Sequence, residues 1–267
     1  MSDDGILMSS SPTTNSKLEA VRGFWQRRPC GSKHADAAPG TPEFFAEVEQ
    51  SRDRLEPFID RYARFESTAG QRVLEIGTGL GTDFVKFARA GARVTGVDLT
   101  EAAISSVKAR LALEGLSNAE LLVANAEALP FDDASFDVVY SWGVLHHTPD
   151  TPRAVSEAIR VLRPGGRLCI MLYARRSWVA FGLWGRYALA VGRPDRSLTD
   201  VIATRMESPG TTAYTKRELR ELFSGIRDLH IHQQSTPYDR RVGGPLAILT
   251  GSALGWFAIV DGRKPFA

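Results

Sequence analysis

Cysteine is scarce: Cys30 and Cys169 are the only two in 267 residues, too few for a disulfide framework or a structural zinc site. Charge bias is missing too. Lys and Arg total 33 against 31 Asp and Glu, a formal net charge of +2. A chain built to grip a phosphate backbone usually carries a basic stripe, so nucleic acid is not an expected partner. Compositional extremes are absent as well. With 43% hydrophobic and 24% charged residues, collagenous, coiled-coil and wholly disordered classes are excluded, and enough apolar material remains for a core. No internal repeat stands out. The excess is in glycine, with 24 residues, several of them clustered.

A secretory signal is also lacking. Residues 1–20 start acidic and hold no apolar run of the needed length, so they read as a mobile tail, and a cytoplasmic protein is the expectation. Val242 to Val260 carries no charge and lies between Arg240-Arg241 and Asp261. Its length would permit a membrane span. Pro245 and the glycines at 243, 244, 251 and 255 make it a poor helix. Membrane contact is therefore not expected, and a buried helix or loop leading into a final strand is.

Residues 21–68 read as an N-terminal lid and helical cap. Thr41 suits an N-cap and Pro42 the first helical position. Phe44, Phe45, Val48 and Leu55, then Phe58, Ile59, Tyr62 and Phe65, recur at helical spacing, and Pro57 divides them into two helices. The core runs over 69–267. Strands are expected at 72–76, 93–97, 120–123, 136–141 and 167–173, with helices at 82–90, 101–114 and 151–162. Such alternation implies a mostly parallel, Rossmann-like α/β sheet covered by helices. An aromatic-rich insertion follows the fifth strand (176–214), then a helix at 215–224. A closing antiparallel pair at 226–234 and 255–261 completes seven strands.

The first strand runs into Gly77-Thr78-Gly79-Leu80-Gly81-Thr82. A strand, a glycine turn and a helix N-terminus let a ligand approach the backbone closely. The dinucleotide fingerprint wants glycine at its sixth position. Thr82 stands there, which disfavours a nicotinamide oxidoreductase. The second strand ends in Asp98, placed to accept both hydroxyls of a ribose. The third ends at Asn125-Ala126, the fourth at Ser141-Trp142-Gly143-Val144-Leu145-His146-His147, and Leu162-Arg163-Pro164-Gly165-Gly166 precedes the fifth.

This ordered series resembles the class I S-adenosylmethionine-dependent methyltransferases, in particular the small-molecule branch related to ubiquinone and menaquinone methyltransferases. The resemblance covers residues 70–175. It implies that Gly77, Thr78, Gly79 and Gly81 wrap the methionine part of S-adenosylmethionine with Glu75 beneath them. It further implies that Asp98 holds the ribose, Leu99 packs on the adenine, and Asn125 and Ala126 contact its polar edge. Where the family usually has Asp, Asn125 keeps an acceptor oxygen but loses the charge. Ser141 falls where backbone carbonyls meet the ammonium. Glu75 and Asp98 would add negative charge around a net cationic ligand, and the N-terminus of helix 82–90 suits its carboxylate.

The expected reaction is methyl transfer to an oxygen or nitrogen of a small, partly hydrophobic acceptor, in the manner of secondary metabolism. A protein that binds the cofactor without transfer, or one that methylates a macromolecule, is the alternative. An oxygen acceptor must lose a proton, which suits histidine. By resemblance to O-methylating members His146 is the base, with His147 second; the alternative is that the pair packs the helix at 151–162. Trp25 and Phe24 form a candidate lid that excludes water over the cofactor, with Trp25 also a candidate substrate contact. Tyr173 is a candidate hydrogen-bonding group, and Trp178, Phe181 and Trp184 a candidate aromatic wall. His230 and His232 alternate on a strand without further ligands at metal spacing, so no metal is expected.

Overall fold

The computed structural model describes residues 14–266. Eight strands form one sheet: β1 (Arg72–Ile76), β2 (Arg93–Asp98), β3 (Ala119–Val123), β4 (Phe136–Trp142), β5 (Leu162–Ala174), β6 (Ala213–Tyr214), β7 (Arg227–Gln234) and β8 (Phe257–Arg263). The spatial order is β3-β2-β1-β4-β5-β8-β7. β1 to β5 pair in parallel, and β8 lies antiparallel between β5 and β7. This matches the expected mostly parallel sheet with an antiparallel close. The eighth strand is β6, two residues pairing with the carboxyl end of β5. It is too short to leave any periodicity in the sequence.

Successive residues of a strand face opposite sides, and two apolar cores result. Val73, Tyr140 and Met171 enter one, with Phe84 and Phe87; Leu74, Val139 and Ile170 enter the other, with Leu145 and Ala158. Among the described residues ten α-helices surround the sheet: α1 (Thr14–Arg27), α2 (Pro42–Leu55), α3 (Ile59–Ala63), α4 (Thr82–Arg89), α5 (Glu101–Glu114), α6 (Thr151–Val161), α7 (Trp178–Tyr187), α8 (Leu198–Arg205), α9 (Lys216–Leu222) and α10 (Pro237–Thr250). Side chains cap them where their first N–H groups would otherwise lack acceptors. Thr41 caps α2, Thr100 caps α5 and Asp150 caps α6. Strand order reverses between β1 and β4, and a crevice opens at such a switch point beyond the strands' carboxyl ends.

Two expectations need correction. The tail assigned to residues 1–20 overlaps α1, which begins at Thr14; residues 1–13 lie outside the described residues. Good helix formers (Lys17, Leu18, Glu19, Ala20) lead into Val21, which is buried and anchors the helix. The uncharged segment after Arg241 leads into a buried final strand as expected, β8, but its helical part is not buried. Ile248 and Leu249 of α10 are 72% and 83% exposed, and Ala247 is the buried apolar residue beside them. Gly244, at φ 53°, breaks the helix there, so a single inward face cannot run its length. No helix among the described residues is long and apolar enough to cross a membrane.

Candidate active site

A cavity of about 760 Å³ opens at the crevice, walled by α1, α2 and the loop between them on one side and by the strand ends on the other. The turn after β1 shapes its floor. Gly77 has φ 83°, and a Cβ there would fall 2.2 Å from the Val144 side chain, so backbone conformation and space both demand glycine. Gly79, at φ 52°, faces open space. Its N–H donates to Asp98 Oδ2 at 3.1 Å. Asp98 Oδ1 accepts from the N–H and hydroxyl of Thr100, both at 2.9 Å. The carboxylate thus ties the glycine loop to the start of α5. Burial raises its pKa, and these hydrogen bonds oppose the rise.

Glu75 sits deeper on the same wall, 3% exposed, with Oε2 lacking a protein partner. Burial, with Asp83 adding repulsion, pushes its pKa well above the usual carboxylate range. Asp83 Oδ2 accepts from Arg52 at 3.0 Å and from the Tyr140 hydroxyl at 2.8 Å. Asp83 Oδ1 and Thr78 Oγ1, also on the wall, have no partner. Three buried polar atoms without partners on one wall are costly unless a ligand supplies partners. A ligand carrying a donor-rich cation fits them, and S-adenosylmethionine, with its ammonium and sulfonium, is such a ligand. Leu99, Asn125 and Ala126 line the same end. Asn125 Oδ1 also accepts from the Glu127 N–H at 3.0 Å, so this side chain is partly engaged in its own turn.

The opposite end is lined by Trp25, Glu56, Trp142, His147, Met171, Tyr173 and Trp256 among others. Glu56 accepts from Trp142 Nε1 at 2.7 Å and from Arg52 at 3.0 Å. Tyr173 stacks on Trp256 with ring centroids 4.3 Å apart. The Tyr173 hydroxyl lies 3.5 Å from Glu207, and Trp25 meets His147 edge-on at 5.2 Å.

The adjacent histidines separate. His146 is fully buried, packs against Tyr173 with ring centroids 3.8 Å apart and planes tilted by 37°, and does not reach the cavity wall. Neither of its ring nitrogens has a partner, and burial holds its pKa well below 6.5. Its assignment as base is therefore corrected, because nothing in the cavity can touch it. His147 does line the wall. The Thr211 hydroxyl donates to the Ser208 carbonyl at 2.8 Å, leaving its lone pairs for His147 Nδ1 at 3.0 Å. Ser208 Oγ lies 2.8 Å from the same nitrogen. This network accommodates the proton on Nδ1 and a lone pair on Nε2, which has no protein partner. Burial lowers the pKa of His147 to about 3, so the ring is neutral at physiological pH.

Other expected contacts move elsewhere. Ser141 is buried off the wall, donating to the Ile76 carbonyl at 2.9 Å; Trp142, Gly143 and Val144 line the cavity instead. Gly81 is the left-handed N-cap of α4 and packs over Val107 rather than lining the cavity. Trp178, Phe181 and Trp184 are not on the wall either. Trp178 Nε1 donates to Thr250 and Trp184 Nε1 to the Arg196 carbonyl, both at 2.8 Å, so these rings join α7 to its neighbours. Val179 is the residue of α7 that reaches the cavity. Sequence reasoning missed Glu56, Asp83, Glu207 and Trp256. An acid in the first turn of α4, directly after the glycine loop, was a usable signal for Asp83; the others are brought in only by tertiary packing.

Residues 74–170, which hold the end of β1, the glycine loop, Asp98 and both histidines, match the family described as methyltransferase domain. Residues 74–170 are a methyltransferase domain. The chain is 38% identical over 128 residues to the 27-O-demethylrifamycin SV methyltransferase of Amycolatopsis mediterranei, covering 47% of this chain and 46% of that protein. An uncharacterized protein of Mycobacterium tuberculosis is 35% identical over 158 residues, 59% of this chain and 55% of that one. The chain thus spans about half the length of the curated relatives it matches. The fold extends further than the methyltransferase domain. The [4+2]-cyclase SpnF superposes with a TM-score of 0.58 at 19% identity, over 96% of this chain and 98% of its own. A Haemonchus contortus N-methyltransferase in complex with phosphomonomethylethanolamine and S-adenosylhomocysteine gives 0.61 at 18% identity, over 92% of this chain and 60% of that one.

Proposed function

We propose that this protein methylates a hydroxyl oxygen of a small hydrophobic acceptor, with S-adenosylmethionine as donor and His147 as general base. The observation that carries the reading is the position of His147: a neutral imidazole at the wall of a largely apolar and aromatic chamber, with its Nε2 buried and without a protein partner. Glu75, the 77–79 loop, Asp98 and Ala126 are assigned to the donor. S-adenosylmethionine supplies an electrophilic methyl carbon on a sulfonium. The surrounding residues hold the acceptor oxygen in line with that carbon and exclude water, which contributes much of the rate in a displacement of this kind. His147 Nε2 takes the hydroxyl proton as the oxygen gains its bond to the methyl carbon and the carbon–sulfur bond breaks, with S-adenosylhomocysteine as the leaving group. An oxygen that has gained that bond is strongly acidic, so a base of low pKa suffices. The names of two relatives, 27-O-demethylrifamycin SV methyltransferase and demethylmenaquinone methyltransferase, support a small hydrophobic acceptor.

One fold relative is a cyclase, and fold alone does not decide chemistry. Turnover does. Incubation with methyl-labelled S-adenosylmethionine and a panel of lipophilic alcohols and phenols, followed by mass spectrometry, should show label on acceptor oxygen and stoichiometric S-adenosylhomocysteine. Cofactor binding without transfer to any acceptor would contradict the reading, as would transfer only to amines.

A further inference from the structure

α7 and α10 form a pair outside the sheet. They pack so closely that a Cβ on Gly182 would fall 2.4 Å from Val242, and one on Gly243 2.6 Å from Trp178. Their inner surfaces are thereby used, but the outer one is not covered. Val242, Leu246, Ile248 and Leu249 are 49, 56, 72 and 83% exposed. Scattered exposed apolar residues are ordinary, whereas four within eight positions of one element mark a contact surface.

The exposed charge of the two helices themselves has one sign. α7 contains no acid, and the single acid of α10, Asp239, is fully buried, with its Oδ2 accepting from the N–H and hydroxyl of Thr236 and from Trp256 N–H. The exposed charges of the two helices are Arg186, Arg240 and Arg241. An apolar strip whose own helices expose only arginine, with the acids of the neighbouring segment, Asp195 and Asp200, paired to Arg193 and Arg196, complements a hydrocarbon surface bearing anionic headgroups. It suits a second copy of the chain poorly, because a two-fold contact would set these arginines against one another. α10 is also too short and too broken at Gly244 to cross a bilayer.

The same helix reaches the cavity, since Tyr238, Arg241 and Val242 line its wall. We propose that the outer face of α7 and α10 docks on an anionic lipid surface, and that the hydrophobic acceptor enters the cavity from that surface. The acceptor clause rests on the proposed methylation, whereas the docking clause stands on the helices alone.

The test is co-sedimentation of the full chain with vesicles of about 30% phosphatidylglycerol in phosphatidylcholine, compared with pure phosphatidylcholine, at low and high salt. Binding should be at least about tenfold tighter to the anionic vesicles at low salt and should fall with salt. Replacing both Ile248→Ser and Leu249→Ser, neither on the cavity wall, should weaken vesicle binding about tenfold or more. S-adenosylhomocysteine affinity and Tm should stay unchanged in that double variant. Arg240→Gln should weaken binding to anionic vesicles and leave the weak binding to neutral ones unchanged. Equal sedimentation with and without vesicles would overturn the proposal. So would a stable dimer that the double variant dissolves, since the second copy would then be the occupant. Vesicle binding without S-adenosylhomocysteine binding would sink the methylation reading and keep the docking; the opposite pair of results would do the reverse.

Discussion

The two ends of the cavity are built in different ways. The end assigned to the donor comes from β1, β2, β3 and the short loops that follow them, all within residues 75–126, and much of it is backbone. The other end is assembled from single side chains far apart in sequence, including Trp25, Glu56, His147, Tyr173 and Trp256. A ligand shared by many proteins can be held by a local, repeated device. An acceptor particular to one protein has to be met by residues that long-range packing brings together.

The histidine pair gives the sharpest way to break this contrast, with the largest expected effect. His147→Ala should lower kcat by about 10²–10⁴ while S-adenosylhomocysteine affinity changes little. His146→Phe should keep kcat within a few-fold and leave Tm equal or higher. A phenyl ring can keep the packing against Tyr173, and two unpartnered buried nitrogens disappear. Steady-state kinetics, calorimetry and thermal melts check all three quantities. A collapse of kcat in His146→Phe with normal folding would return the base to His146.

Glu75 sharpens the other end. Its folded-state pKa is raised, so the ionised group costs stability at neutral pH, a cost absent below its unfolded pKa and growing as pH rises through the folded one. Glu75→Gln should therefore raise the Tm of the unliganded protein at pH 7, and the gap should close as pH falls. It should also weaken S-adenosylhomocysteine about tenfold. An unchanged affinity would remove Glu75 from the donor's contacts.

His147 carries the opposite sign. Its pKa falls from 6.5 to about 3, so the folded state binds fewer protons than the unfolded one between those values. The stability this provides is complete above pH 6.5 and is lost as pH falls toward 3, at up to about 1.4 kcal/mol per pH unit. In His147→Phe the acid slope of urea-derived stability should be shallower over that window; an unchanged slope would mean that the ring is not held neutral by burial.

The smallest effect belongs to α7. Trp178→Phe loses the hydrogen bond to Thr250, about 1 kcal/mol, and should lower Tm by a few degrees with KM unchanged. A raised KM would put the aromatic rings of α7 back on the acceptor wall.

The sequence made the sheet legible because each parallel strand is a short apolar run closed by a turn signal. β1 to β4 fall within a residue or two of their expected limits, whereas β5 begins earlier, at Leu162. Asp98 and the 77–79 loop were legible for the same local reason. The aromatic spacing at 178, 181 and 184 showed an apolar face but could not say what it would meet. It meets α10 and the 196–197 turn, not the cavity. The two neighbouring histidines diverge for a comparable reason. In the 3₁₀ turn after β4, one ring points under Tyr173 and the next toward Ser208 and Thr211. Only the fold of residues 208–211 decides between them.

The central claim is that Asp98 ties down the loop that holds S-adenosylmethionine. Calorimetric titration of S-adenosylhomocysteine into the wild-type chain and Asp98→Ala tests it most directly. Saturable binding to the wild type, weakened about a hundredfold or more in the variant while its fold persists, is the expected result. Equal affinity in the two proteins, or no binding to the wild type, would contradict it.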